Sequence, residues 1–304
     1  MKRVLVTGAG GFIGRHCLPL LTGKGFEVHA VAGPSALMNQ ATEFAIWHRA
    51  DLLDVASTDA LLDGVRPTHV LHFAWFGEHR TFWTSVKNLR WVGATLHLLE
   101  ASAARGAKRF VGSGTCAEYD PAVDLCDEAS SPLAPVSLYG ICKRATQDCL
   151  RGASPQLGIS YAWGRLFFPF GQYDKTTRLV PLVIRGLLDG KFVDCSAGTQ
   201  VRDLLHVRDV ASAMVALLDC EVEGPVNVAS GKGIEVREVV EKIGELIGRP
   251  ELIRFGMLPM RSDEALRWVA RTERLNREVD WYPSLSLEDG LRETIDYCRL
   301  PSKR

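Results

Sequence analysis

Apolar positions in the first half of the chain follow two alternating rhythms. Short, largely apolar runs stand at 3–6, 26–31, 44–48, 69–73, 109–112 and 160–165. Runs of this length, closed by glycine or polar residues, predict strands buried on both faces. Between them apolar residues repeat at helical spacing, at 12–21 and at 58–62. The clearest stripe is Phe82, Val86, Leu89, Val92, Leu96 and Leu99, in steps of three and four. It reads as one packed helix face, with Trp83 and Trp91 part of the same packing. The alternation predicts an α/β fold: a Rossmann-type doubly wound parallel sheet with helices on both faces. Ligands of such sheets bind beyond the carboxyl ends of the strands, so the residues following each strand are the candidates for a site.

After residue 166 the rhythm loosens. Residues 167–171 read as a loop. Leu179–Leu188, Val207–Leu218 and Val236–Ile247 read as helices, 226–229 as a strand returning to the sheet, and 287–297 as a final helix. The expected division is a dinucleotide-binding domain at 1–165, with segments near 202–230 returning to it. Residues 166–201 and 231–304 then form a smaller, interleaved substrate-binding lobe.

Composition narrows the partners. Of 304 residues, 46% are apolar and 24% charged, enough to build a large core. Lysine plus arginine total 36 and aspartate plus glutamate total 36, so no net charge draws the chain to nucleic acid or an anionic membrane. No apolar run approaches the ~20 residues that span a bilayer. The start, two basic residues then Val4-Leu5-Val6, is broken by Thr7 and Gly8 before it could form a signal segment, so a cytoplasmic protein is expected. Eight cysteines and eight histidines are scattered without ligand spacing, which predicts buried thiols and no metal site.

The chemistry begins at Thr7-Gly8-Ala9-Gly10-Gly11-Phe12-Ile13-Gly14, which follows a strand and opens a helix. Gly8, Gly11 and Gly14 allow backbone to approach a pyrophosphate, and the helix start offers free N–H groups. A dinucleotide cofactor is expected, held also by the Phe12 and Ile13 backbone. The second strand ends in Val31-Ala32-Gly33-Pro34-Ser35, without the acidic residue that grips a ribose 2′-OH. Arg15 or Ser35 could instead meet a 2′-phosphate. NAD(P) is therefore expected, with a slight lean to NADP. Asp51-Leu52, after the third strand, is either an adenine contact or a loop and helix-cap aspartate.

Tyr139-Gly-Ile-Cys-Lys143 opens a helical segment and puts phenol and ammonium on one helical face. The ammonium is expected to lower the phenol pKa toward working pH, making Tyr139 a proton donor or acceptor at a carbonyl or alcohol oxygen. The same lysine could hold the nicotinamide ribose. Thr115 ends a strand 24 residues before Tyr139 and could share the substrate oxygen. Cradle, hydroxyl and tyrosine–lysine pair stand in the order one site requires.

With these residues the chain resembles the extended short-chain dehydrogenase/reductase family, within it the NAD-dependent epimerase/dehydratase group acting on nucleotide sugars. The resemblance covers nearly all 304 residues. His72-Phe73-Ala74 looks like that family's H-x-A stretch, and Asn88 falls where members carry a helix asparagine; both imply cofactor contacts. Arg202-Asp203 and Pro259-Met260-Arg261 are similar to its phosphate-binding segments. By that resemblance Arg202 and Arg261 clamp a sugar-nucleotide diphosphate, for which a guanidinium fork is suited. It also implies a homodimer that pairs the 82–99 helix and the Tyr139 helix across a two-fold. Three departures mark the substrate pocket: Phe168 and Arg178 stand where asparagine is expected, and Trp75 where a small residue is common. The pocket should differ from that of the common galactose epimerases.

The family's dehydratases carry Asp-Glu directly after the catalytic threonine. Here Cys116-Ala117 follow, and Glu118 comes one place late, on the opposite side if the strand continues. Dehydration is therefore disfavoured, and Cys116 reads as a packing or pocket-wall residue. Two reactions remain open, reduction of a nucleotide-linked 4-keto-6-deoxy sugar and C4 epimerisation with retained NAD, and reduction is preferred. A non-catalytic dinucleotide sensor on the same scaffold would be expected to have lost Tyr139 or Lys143.

Overall fold

A computed structural model of the chain describes residues 2–34, 43–78, 81–260 and 265–300. The N-terminal half runs β1 (Arg3–Thr7), α1 (Gly14–Gly23), β2 (Glu27–Ala32), β3 (Ile46–Arg49), α2 (Val55–Val65), β4 (His69–His72), α3 (Lys87–Ala104), β5 (Arg109–Thr115), β6 (Leu125–Cys126), α4 (Leu138–Leu157) and β7 (Ser160–Leu166). It continues with β8 (Phe168–Phe170), α5 (Leu179–Leu188), β9 (Val193–Asp194), β10 (Val201–His206), α6 (Val207–Leu218), β11 (Gly224–Val228) and β12 (Gly233–Glu235). The last elements are α7 (Val236–Ile247), β13 (Ile253–Arg254), β14 (Arg267–Ala270), α8 (Glu273–Arg277) and α9 (Leu287–Arg299).

Seven strands form one parallel sheet in the order β11-β7-β5-β4-β1-β2-β3. The chain leaves β1 toward β2 and β3, then returns to the other side through β4. The crevice between the ends of β1 and β4 is thus the topological switch point, where ligands of open α/β sheets bind. One face is covered by α1 and α6, through Leu18, Leu21, Met214 and Leu217. The other is covered by α2, α3 and α4, through Leu62, Leu98, Leu99 and Leu150. Polar caps set where these helices begin. Asp54 accepts the Ala56 N–H at 3.0 Å before α2, and Ser137 accepts the Gly140 N–H at 3.1 Å before α4.

A second sheet, β12-β10-β14-β6 with β8 beside β10, forms the floor of the C-terminal lobe, whose core is built by α5, α7 and α9. The predicted loop at 167–171 contains a strand instead: Phe168, Pro169 and Phe170 pair with Leu204, Leu205 and His206. Pro169 lacks a ladder donor, but β8 lies off the main strand path, where a missing donor is tolerated. The lobes interleave more than the expected boundaries allow. β6 joins the second sheet from the N-terminal half, and β10 stays in that sheet while α6 and β11 return to the large one. Among the described residues no helix is long and apolar enough to cross a membrane.

Candidate active site

The cradle is built by close packing of backbone. Gly8 has φ of 65°, and a Cβ there would lie 2.8 Å from the Ala74 nitrogen just after β4. A Cβ on Gly14 would run into the Gly8 carbonyl oxygen. No side chain caps the start of α1, which leaves its first amides open to an anion. Beneath the turn, Thr7 Oγ1 bonds His72 Nδ1 at 2.7 Å and His72 Nε2 bonds Thr95 Oγ1 at 3.0 Å. Burial, with Lys143 adding to it, pushes the His72 pKa down to about 3, so this neutral imidazole is a brace between β1, β4 and α3. These features fit a dinucleotide: a backbone cradle that only glycine allows, at the switch point.

A cleft of about 710 Å³ runs from the cradle across the ends of β4 and β5 to the second sheet. Gly8, Gly11, Phe12, Ile13 and Gly14 line it at one end, and Phe73, Ala74 and Trp75 form its side. Thr115, Tyr139 and Lys143 meet at its centre. The Thr115 hydroxyl stands near enough to the Tyr139 phenol to act on its pKa. Lys143 Nζ donates to the Ser113 carbonyl at 2.7 Å and sits 5.9 Å from the centre of the Tyr139 ring. Burial lowers the Lys143 pKa to about 7, against the opposing charge of Glu118. The expected lowering of the phenol pKa does not occur: burial raises it, and the Thr115 hydroxyl opposes that only in part. Desolvation penalises tyrosinate more than an ammonium beyond hydrogen-bonding reach can favour it. Tyr139 therefore stands protonated at neutral pH.

Glu118, read as facing away, turns back. The strand ends at Thr115 and a single 3₁₀ turn follows, so Glu118 accepts the Thr115 N–H at 2.8 Å. It also accepts Trp163 Nε1–H and Arg165 Nε–H, each at 2.9 Å, and is fully buried. Arg165 continues to Tyr119 Oη at 3.0 Å, which donates to Asn227 at 2.8 Å. The carboxylate is a structural anchor of the strand end that carries Thr115. Its signal in the sequence was a glutamate and an arginine inside apolar segments, each needing the other. Cys116 lines the cleft, and burial raises its thiol pKa.

Several expected contacts fall elsewhere. The helical stripe at 82–99 begins too early, because α3 starts only at Lys87. Asn88 Nδ2 donates to the carbonyls of Phe82 at 2.7 Å and Ser85 at 2.8 Å, and this holds the preceding residues in turns. Asn88 Oδ1 also accepts Trp75 Nε1–H at 2.8 Å. The asparagine is fully buried and its amide shapes the wall through these bonds. Phe82 and Trp83, missed as site residues, stand edge-on to the Tyr139 ring at 5.0 and 5.7 Å, and the Tyr139 N–H donates to the Trp83 carbonyl at 3.1 Å. Leu52 packs into the core on the α2–α4 side, and Asp51 Oδ1 accepts the Leu53 N–H at 3.0 Å. Arg15 is tied to the carbonyls of Gly10 and Gly11 at 2.5 and 3.1 Å and lies 4.0 Å over the Tyr173 ring. Ser35 and Arg261 lie outside the described residues. A cation the sequence reading passed over is nearer the end of β2: Arg49, closing β3, donates to the Pro34 carbonyl.

At the far end of the cleft the Arg202 guanidinium lies 5.2 Å over Phe168 and 5.8 Å over Trp268. Arg178 flanks the start of α5, 3.5 Å from Asp174, whose pKa burial raises to about 6. Among the described residues no cluster of three or more His, Cys, Asp or Glu could hold a metal ion.

Residues 4–229 match the family described as NAD dependent epimerase/dehydratase. The chain belongs to that family. It is an enzyme family. The chain is 30% identical to a UDP-glucose 4-epimerase of Azospirillum brasilense, over 95% of this chain and 89% of that one. It is 26% identical to a CDP-abequose synthase of Salmonella muenchen, over 97% of each. Among solved structures, the UDP-glucose 4-epimerase of Thermus thermophilus in complex with NAD superposes with a TM-score of 0.88 at 26% identity, covering 98% of this chain and 99% of that one.

Proposed function

We propose that this epimerase/dehydratase family member reduces a nucleotide-linked 4-keto-6-deoxy sugar by hydride transfer. The observation that carries this reading is the meeting of Thr115, Tyr139 and Lys143 in one cleft with the glycine cradle. When bound, the reduced nicotinamide supplies the hydride. Thr115 and Tyr139 would hold the ketone oxygen, and Tyr139, kept protonated by burial, would donate the proton that turns it into an alcohol. Lys143 would hold the nicotinamide ribose. Arg202 and Arg261 would take the diphosphate, and Arg178 would stand beside the sugar. The walls near Tyr139 are largely carbon, from Phe82, Phe167, Phe168 and Cys116. A buried hydroxyl without a partner costs about 1–3 kcal/mol, so such walls favour a deoxygenated sugar. Dehydration is disfavoured because Glu118 is saturated by three donors, which leaves it no part as acid or base.

The cofactor lean stays with NADP. The end of β2 has no acidic residue among those described, and Arg49 stands beside Pro34 where a 2′-phosphate would need a cation. A homodimer through α3 and α4 belongs to the same reading. C4 epimerisation with retained NAD is the second reading, supported by the relatives named UDP-glucose 4-epimerase. The two part on stoichiometry: a reductase consumes added NADPH one for one with a nucleotide-linked keto sugar. Copurified, tightly held NAD with sugar interconversion and no net consumption would replace it with the epimerase. Tyr139→Phe is expected to lower turnover by about 100-fold or more while leaving cofactor affinity unchanged; a non-catalytic sensor would be indifferent to it.

A further inference from the structure

Trp75 stands on the side of the cleft, where a small residue is common in the family. Its indole is fixed at one edge, where Nε1–H donates to Asn88 Oδ1 at 2.8 Å. Asn88 is itself held by two carbonyls of the preceding turn. The ring so fixed presents its face to the Lys143 ammonium, with Nζ 3.8 Å from the ring centre. Trp163 stands on a further side at 5.5 Å. Lys143 is 2% exposed, and its ammonium donates to the Ser113 carbonyl. An ammonium so far out of water needs compensation, and a tryptophan face is the strongest aromatic partner for it, most of all when desolvated.

We infer that Trp75 is a positioning residue for Lys143: its indole face, oriented by Asn88, holds the ammonium in place and favours its charged form beside the reacting centre. The titratable groups around Lys143 are Tyr139 on its own helix, Glu118 on the turn after β5, and His72 at the end of β4. Tyr139 and His72 are neutral near pH 7 and only Glu118 is an anion among the three, with Arg165 bound to it. The carboxylate is shared with other donors, so the π face supplies attraction that it does not.

This inference rests on Lys143 being the lysine of the proposed reaction, and it can be tested without that reaction. The measurement is the titration of the Lys143 side chain by NMR in protein labelled at lysine Cε, assigned by its loss in Lys143→Met. Trp75→Phe keeps a weaker π face, whereas Trp75→Leu fills part of the space with none. The expected order of the Lys143 pKa is wild type above Trp75→Phe above Trp75→Leu. The last is expected to lie about one pH unit below wild type, a roughly tenfold change in protonation constant. Equal values in all three overturn the inference, since a space-filling role does not distinguish a π face from an aliphatic one. Should Trp75→Leu not fold, fluorinated tryptophan placed at position 75 keeps the shape and drains the ring's negative face. The pKa then falls stepwise with fluorine number, or the inference fails. A retained order in protein that turns over no keto sugar would overturn the reductase reading and leave the role of Trp75 standing.

Discussion

At the scale of single residues, Lys143 is held in a state the fold would not choose. Its pKa in the folded protein is about 7, against 10.5 for the free side chain, with burial the leading cause. Between those values the unfolded chain binds a proton that the folded chain lacks, so this group makes stability rise with pH from about 7 to 10.5. Below about 7 the penalty is present in full. Lys143→Met is therefore expected to stabilise the fold by about 1–3 kcal/mol at pH 7, the loss of the Ser113 hydrogen bond offsetting part of the gain. The same change should abolish turnover and flatten the pH dependence of stability in that window. Denaturant titrations at pH 7 and pH 10 decide it; a variant less stable than wild type at both would show that the ammonium supports the fold. In wild type, kcat/KM should fall above pH 7 as the ammonium is lost.

At the scale of elements, the end of β5 is held by the polar groups packed against it. Glu118 and Arg165 form a fully buried pair at 2.9 Å that also fixes the Thr115 amide. Removing one partner strands the other charge in the core, so Glu118→Ala is expected to cost about 3–5 kcal/mol. Glu118→Ala with Arg165→Met should recover much of that loss, and strict additivity of the two single changes would show that the pair is not coupled. The elements differ in how legible they were. Apolar runs bounded by glycine revealed the parallel strands, because burial on both faces leaves little room for any other pattern. The tyrosine–lysine pair was legible because its spacing is set by one helical turn. The turn at 82–86 was not, since its rings continue the stripe of α3 and only the Asn88 amide, bonding backward to Phe82 and Ser85, breaks the helix there. Glu118 was misplaced for a similar reason: whether a strand runs on or curls after Thr115 depends on partners 45 and 47 residues away in sequence.

At the scale of the whole molecule, the proposed site and the proposed dimer share their supports. The turn bearing Phe82 and Trp83 leads into α3, and α4 begins at Leu138 after its cap Ser137, with Tyr139 in its first turn. Beside these starts Val86, Leu89, Val136 and Ile141 are exposed, by 71%, 57%, 69% and 48%. Apolar side chains exposed near each other on two packed helices lose water favourably when a second copy covers them. A chain of 33.5 kDa should then migrate with a mass near twice that value in light scattering at micromolar concentration. Leu89→Asp with Ile141→Asp should halve the mass, because a buried carboxylate without a partner is costly. Since both helices adjoin the proposed catalytic groups, the monomer should also lose turnover more than cofactor affinity, the cradle lying on α1 and β1. A wild-type chain of monomer mass, or a double variant that stays dimeric, would exclude these helices as the interface.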